Sequence, residues 1–212
     1  MNGVGTTTPT TAAPTGGAGL LGGAFGYLER VLRDVTVDDL GRPTPCSVWD
    51  LAALLAHLDD SLVALTEAAG VGRVAMRRRE PYLIPVGDVA ARIRARTAEA
   101  ALAWLRPGGL VDSALVGACP LTMRAIEATG AVEVAVHGWD VSVACGVATP
   151  IPEPLAEDLL STLSYLVTRE DRPVRFASAL PISPWMPASA RLLALLGRRP
   201  APASDVQPAL CG

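Results

Sequence analysis

The sequence predicts an all-α protein: an antiparallel four-helix bundle with additional C-terminal helices and a Pro-rich extended segment. Three observations carry this. Half of the 212 residues are hydrophobic but only 4% are aromatic, so Ala, Leu and Val must fill the core, and Ala and Leu are strong helix formers. Apolar residues recur three and four positions apart over four long stretches, the period of an amphipathic helix. Short connections between such helices favour a bundle of antiparallel neighbours.

Residues 1–19 are rich in Thr, Pro, Gly and Ala and carry little apolar area, which predicts a disordered tail. A first helix is expected from Leu20 to Arg33, with Leu21, Phe25, Leu28 and Leu32 on one stripe. The turn Gly41-Arg42-Pro43-Thr44-Pro45-Cys46 follows, and Ser47 suits the N-cap of a second helix. That helix carries Leu51, Leu54, Leu55, Leu58, Leu62 and Leu65 and ends near Gly70-Val71-Gly72. Pro81 and Pro85 mark a loop before a third helix, Val86 to Leu105, stopped by Pro107-Gly108-Gly109. Residues 110–120 alternate weakly and suit a short extended segment. A fourth helix spans Leu121 to Gly146, and a fifth runs from Glu153 to Val167 behind Pro150 and Pro152. The Pro-rich stretch from Pro173 to Pro187 leads to a last helix, Ala188 to Leu196, closed by Gly197. Residues 20–200 therefore read as one domain, and 201–212 as a flexible C-terminal tail.

A net charge of −3 leaves no electrostatic footprint for nucleic acid. The 18 basic side chains are all arginine, and the one dense run, Arg77-Arg78-Arg79, reads as a solvated loop. Cys46, Cys119, Cys145 and Cys211 form no C-x-x-C pair, the pattern of reduced thiols in a cytosol rather than of a disulfide scaffold. No secretory signal and no membrane-spanning stretch is visible, so a soluble cytoplasmic protein, monomer or homodimer, is expected.

The two histidines concentrate the chemistry. His57 lies in the apolar run Leu51 to Leu58, and His137 follows Glu133 by four residues. Side chains four apart share a helix face, with Cβ atoms about 5–6 Å apart. Positions 126, 130, 133, 137, 141 and 144 read Ile, Gly, Glu, His, Val and Ala, so this face is apolar except for the pair. An ionised Glu buried there needs a partner or a metal. If His57 reaches the same spot, two imidazoles and a carboxylate form the ligand set of a divalent-metal site with open positions. Without a second helix brought alongside, the bland alternative is a core histidine with a local partner. Asp140, three residues beyond His137, either orients its imidazole or is a solvated helix carboxylate. Trp49 and Trp139 read as core or pocket walls, and Cys46 and Cys145 as small buried hydrophobes.

The segment Thr44-Pro45-Cys46-Ser47-Val48-Trp49-Asp50-Leu51-Ala52-Ala53-Leu54-Leu55-Ala56-His57-Leu58 resembles the TPCPGW-x-V-x-x-L-x-x-H segment of the mycothiol-dependent maleylpyruvate isomerase N-terminal domain family, of the DinB-like metal-binding superfamily. The stretch from Val132 to Asp140 is similar to its E-x-A-V-H-G-W-D segment, and Arg191 to Pro200 to its RLLALLGRDP ending. The resemblance covers about residues 20 to 200. It implies a DinB-like four-helix fold, carries the metal ligands onto His57, Glu133 and His137, and implies thiolate chemistry with mycothiol. Ser47-Val48 replaces Pro-Gly, and the family's FGPPVPV loop appears as Phe176-Ala177-Ser178-Ala179-Leu180-Pro181-Ile182, which points to a different substrate preference. No second domain like that of the full isomerase is visible, so maleylpyruvate itself is not carried over as the substrate.

N/O ligands suit Zn²⁺ first, and also Ni, Co, Mn or Fe(II). Three readings follow. In the first, a metal-dependent thiol transferase or isomerase joins a low-molecular-weight thiol, such as mycothiol, to a small electrophilic substrate. In the second, a thiol-independent hydrolase or cyclase tailors a secondary metabolite. In the third, a non-catalytic module binds metal or a small molecule.

Overall fold

Helix is the dominant structure wherever the apolar period is 3.6. The computed structural model describes residues 19–46, 49–75, 89–106, 112–168, 172 and 177–199. Within them lie α1 (Leu20–Val31), α2 (Leu51–Val71), α3 (Val89–Trp104), α4 (Met123–Ala144), α5 (Glu153–Leu166) and α6 (Ala188–Leu195). One small sheet joins β1 (Arg73–Val74), β2 (Ser113–Val116) and β3 (Cys119–Thr122). The all-α expectation stands. The 1–18 segment, Ser47, the Arg77-Arg78-Arg79 run, Pro81, Pro85, Cys211 and much of the Pro-rich stretch lie outside the described residues.

The four long helices close a ring: α1 packs on α4, α4 on α2, α2 on α3, and α3 back on α1. Its core is aliphatic as composition requires, with Leu21, Leu28, Leu32, Leu51, Leu54, Leu55, Leu58, Leu62 and Ile93 fully buried. Tyr27 is the largest fully buried side chain, and its hydroxyl donates to the Thr149 carbonyl at 2.7 Å. Asp59 of α2, only 6% exposed, ties α3 in through Arg92 at 2.8 Å and Arg96 at 3.3 Å. Outside the ring, α5 lies on α4 and α1, and α6 lies on α5. Glu153 at the start of α5 accepts from the Ala188 amide (2.6 Å) and from the Ser189 hydroxyl, so one carboxylate satisfies the amino end of α6. No helix among the described residues is long and apolar enough to cross a membrane.

Two helix starts differ from the sequence reading, and α1 and α4 each end two residues earlier than expected. The second helix is capped by Asp50, whose Oδ1 accepts from the Ala53 amide at 2.8 Å; Asp, like Ser, is a favoured N-cap, and Asp50 stands one residue before the apolar run. The fourth helix begins at Met123 rather than Leu121, because Thr122 caps it while still paired in β3. The extended segment expected at 110–120 is the antiparallel β2–β3 hairpin, with β1 added in parallel. Pro120 sits in β3 at the edge of the sheet, where a missing amide is tolerated.

Helix α4 is buried on all sides from Val134 to Ser142, whereas the sequence reading expected one apolar face. Its approach to α2 depends on Gly130, where a Cβ would stand 2.5 Å from Leu65 Cδ2. Replacing Gly130 with Ala must displace buried Leu65 and should cost about 1–3 kcal/mol, as overpacked cores do. Gly26→Ala in α1 meets nothing within 4 Å and should stabilise by up to about 1 kcal/mol through helix propensity. Chemical denaturation of both variants checks the contrast; equal effects would show that α4 and α2 are not in close contact.

Candidate metal centre

The site begins with the turn ahead of α2. The Thr44 hydroxyl lies 3.0 Å from the Cys46 carbonyl and 2.9 Å from that of Trp49, and accepts from the Cys46 amide at 3.2 Å. The Leu51 amide bonds back to the Arg42 carbonyl at 2.9 Å. This closed turn sets the Trp49 ring 4.6 Å from the His57 ring and 6.0 Å from that of His137. Trp49 is thus a wall of the site, one of the two roles its sequence context allowed.

Helices α2 and α4 bring the three expected residues together. His57 Nε2 is hydrogen-bonded to Glu133 Oε1, and His137 Nε2 stands 3.5 Å from the same oxygen. The imidazoles meet edge to face with centroids 5.1 Å apart. One donor atom from each of His57, Glu133 and His137 lies within 4.8 Å of the other two. The Ser61 hydroxyl donates to Glu133 Oε1 at 3.2 Å. Ser61 follows His57 by four residues, the same spacing that joins Glu133 to His137, so one turn of each helix faces the cluster.

Burial is uneven, and this corrects the expectation of a buried Glu133. The His137 side chain is 10% exposed, but those of His57 and Glu133 are 34% and 32% exposed. Ligands from solvent can therefore approach from the His57 side. Burial pushes the Glu133 carboxyl up, yet the hydrogen bond from His57, the charges of both imidazoles and the Ser61 hydroxyl outweigh it and hold it at about 2.

Asp140 is no solvated helix carboxylate: it is 0% exposed. Its Oδ2 lies 3.0 Å from His137 Nδ1 and 2.9 Å from Arg198 Nη2. A carboxylate held by a guanidinium only accepts, so His137 Nδ1 carries a proton and Nε2 is the atom turned toward Glu133. Arg198 reaches Asp140 because α6 ends in a Schellman turn. The Arg198 amide bonds to the Leu193 carbonyl at 2.9 Å and the Gly197 amide to that of Ala194 at 3.0 Å. Gly197 has φ +77°, and a Cβ there would lie 2.6 Å from Ala177 Cβ, so only glycine fits. Sequence reading quoted Arg198 within the C-terminal motif but gave it no role; the arginine behind a helix-stopping glycine was the available signal. Cys46, Cys119 and Cys145 carry no disulfide, and none joins the cluster. Burial raises the Cys145 thiol to about 11, far from an activated nucleophile.

Residues 21–142 match the model of the mycothiol maleylpyruvate isomerase N-terminal domain. The chain belongs to that family. It is also similar to two uncharacterized proteins of Mycobacterium tuberculosis, from strains CDC 1551 and H37Rv, each 32% identical over 170 residues, covering 79% of this chain and 90% of the relative. No solved structure matches the chain. The family match takes in His57, Glu133, His137 and Asp140 but stops short of Arg198, so the arginine that completes the cluster comes from outside the matched segment.

Arg198→Met should leave the fully buried Asp140 carboxylate without its cation, at a cost of about 3 kcal/mol or more in unfolding experiments; a loss near zero would mean that the pair is not closed in solution. The acid limb gives a second check, made on chelator-treated protein. Glu133 is depressed from 4.5 to about 2, so its contribution is complete above about pH 4.5 and lost as pH falls through about 2. The stability gap between the parent and Glu133→Gln should shrink across that window. A gap independent of pH would contradict the ion pairing.

Proposed function

We propose that this chain is a divalent-metal-dependent enzyme acting with a low-molecular-weight thiol, mycothiol by family, on a small electrophilic substrate, as a transferase or isomerase. The observation that carries the reading is the convergence of two imidazoles and one carboxylate within 4.8 Å on α2 and α4. The donor set fits a divalent ion: Asp140 engages Nδ1 of His137 so that Nε2 is the nitrogen turned to the cluster, and His57 and Glu133 are open enough to admit a ligand. In this reading His57, Glu133 and His137 hold the ion, Zn²⁺ being the first choice for such donors. When bound it would supply a Lewis acid and lower the pKa of a coordinated thiol or water.

The chain's own residues do the rest. Asp140, braced by Arg198, keeps the His137 ring and its proton in place, the usual task of a carboxylate behind a ligand imidazole. Ser61 holds one Glu133 oxygen and limits its rotation. Trp49 gives the open side an apolar wall beside His57 and would offer a face to an organic substrate. Family membership supports the thiol; the substrate's class rests on the chemistry a thiolate performs.

The purified protein should carry about one divalent ion per chain, and His137→Ala should lose most of it. Asp140→Asn should weaken metal binding by roughly 10–100-fold. In Co²⁺-substituted protein, mycothiol should raise a sulfur-to-metal charge-transfer band and release a proton, and both should vanish in His57→Ala. A spectrum unchanged at saturating mycothiol, with turnover intact, would shift the assignment to thiol-independent chemistry. A parent and a His57→Ala/His137→Ala variant of equal metal content would remove the centre itself.

A further inference from the structure

Helix α4 is fastened to the last helix by one side chain. Helix α6 rests mainly on α5, yet Arg198, two residues beyond the Leu196 cap, crosses to α4. Its Nη2 and Nε donate to Asp140 Oδ2 and Oδ1 at 2.9 and 3.4 Å, and its Nη1 donates to the Leu196 carbonyl at 3.1 Å. All three nitrogens are engaged, and the side chain is only 12% exposed. Asp140 Oδ2 is shared between Arg198 and His137 Nδ1, which lies 3.0 Å away. The guanidinium fork thus fixes both oxygens of a carboxylate, and that carboxylate fixes the ring.

The far side of this link is anchored as firmly. Glu153 holds the amino end of α6 through the Ala188 amide and the Ser189 hydroxyl. At the other end, the Arg198 amide closes on the Leu193 carbonyl at 2.9 Å. A line of hydrogen bonds therefore runs from the Leu196 carbonyl through the guanidinium and Asp140 to the His137 imidazole. Among the described residues, the ion-pair partners of Asp140 are His137 and Arg198. No second arginine is placed to take over the task.

We infer that Arg198 is a positioning residue for the metal centre, and that ion binding and the docking of α6 strengthen each other through Asp140. The inference rests on the reading of His57, Glu133 and His137 as metal ligands. Partners behind a ligand histidine change metal affinity by about 10–100-fold. If Arg198 orients the ring only when α6 is docked, linkage requires α6 to dock more tightly once the ion is bound, and by the same factor. Neither a purely structural Arg198 nor a metal centre alone demands that equality.

The test follows Zn²⁺ affinity of the full-length protein by competition with a chromophoric chelator, and hydrogen exchange of backbone amides 191–198 with and without Zn²⁺. Arg198→Met should weaken Zn²⁺ binding about tenfold, with the same stoichiometry at saturation. Arg198→Lys keeps the charge but loses the fork, and should recover part of the loss. Leu21→Ala, which opens the buried core of α1 outside the cluster, should bind Zn²⁺ as the parent does, and so separates positioning from general loss of stability. In the parent, saturating Zn²⁺ should slow exchange at 191–198 by about the factor that Arg198→Met loses in affinity. Equal affinity of the parent and Arg198→Met, an equal loss in Leu21→Ala, or exchange in α6 indifferent to Zn²⁺ would each overturn the coupling while leaving the centre standing. A parent that binds no Zn²⁺ would remove the centre, and the coupling with it.

Discussion

Helix α4 has no solvent face along its middle, yet three consecutive turns of it carry Glu133, His137 and Asp140. That constraint organises the molecule. A helix surrounded by α1, α2 and α5 can hold charge only where another element brings a partner. Each partner comes from a different part of the chain. Glu133 takes His57 and Ser61 from α2. Asp140 takes Arg198 from beyond α6. His137 stands between them, bonded by one nitrogen to Asp140 and facing Glu133 with the other. The row is graded in exposure: the Asp140 side chain is fully buried, that of His137 nearly so, and that of Glu133 a third open. Charge is fixed at the inner end and exchangeable at the outer one.

This grading explains why the C-terminal elements belong to the site although they contribute no ligand atom. Glu153 anchors α6 by its amino end, the Schellman turn at Gly197 reverses the chain, and Arg198 arrives at Asp140. Without Arg198, Asp140 would be a fully buried carboxylate with His137 as its remaining side-chain partner. A smaller four-helix unit ending after α4 would need a neutral residue at position 140, and the His137 ring would then lose its fixed tautomer. The outer helices therefore reach the site through the Arg198–Asp140 ion pair.

The histidine cluster was legible in the sequence because its information is local: two histidines, one glutamate at helical spacing, and apolar neighbours that exclude a solvated face. The family resemblance then supplied the pairing of α2 with α4 that spacing alone could not. Arg198 was not legible in that way, since it meets Asp140 across 58 positions and nothing near either residue names the other. The β2–β3 hairpin was only half legible. Its strands are four residues each, too short for a clear alternation, and Pro120 argues against a strand until its edge position is known. The Asp50 cap was displaced by Ser47 in the reading because both residue types cap equally well, and only the hydrogen bond to Ala53 separates them. Exposure was misjudged for a related reason. Helical spacing reports which side chains share a face, not how far that face lies from the rim of the bundle.

The open end of the cluster also sets how the proposed centre would be reached. Asp140 holds the His137 ring with Nε2 turned toward Glu133. His57 is different: its Nε2 is engaged with Glu133, so a cation held by both would have to compete with that hydrogen bond, and its affinity would fall as pH falls because ligand groups must shed their protons. The asymmetry would assign different work to the two imidazoles of the proposed centre. His137, buried and braced from behind, is the fixed one. His57, a third exposed and beside the Trp49 ring, is the one open to solvent. A site built with two buried, braced histidines would close that open face.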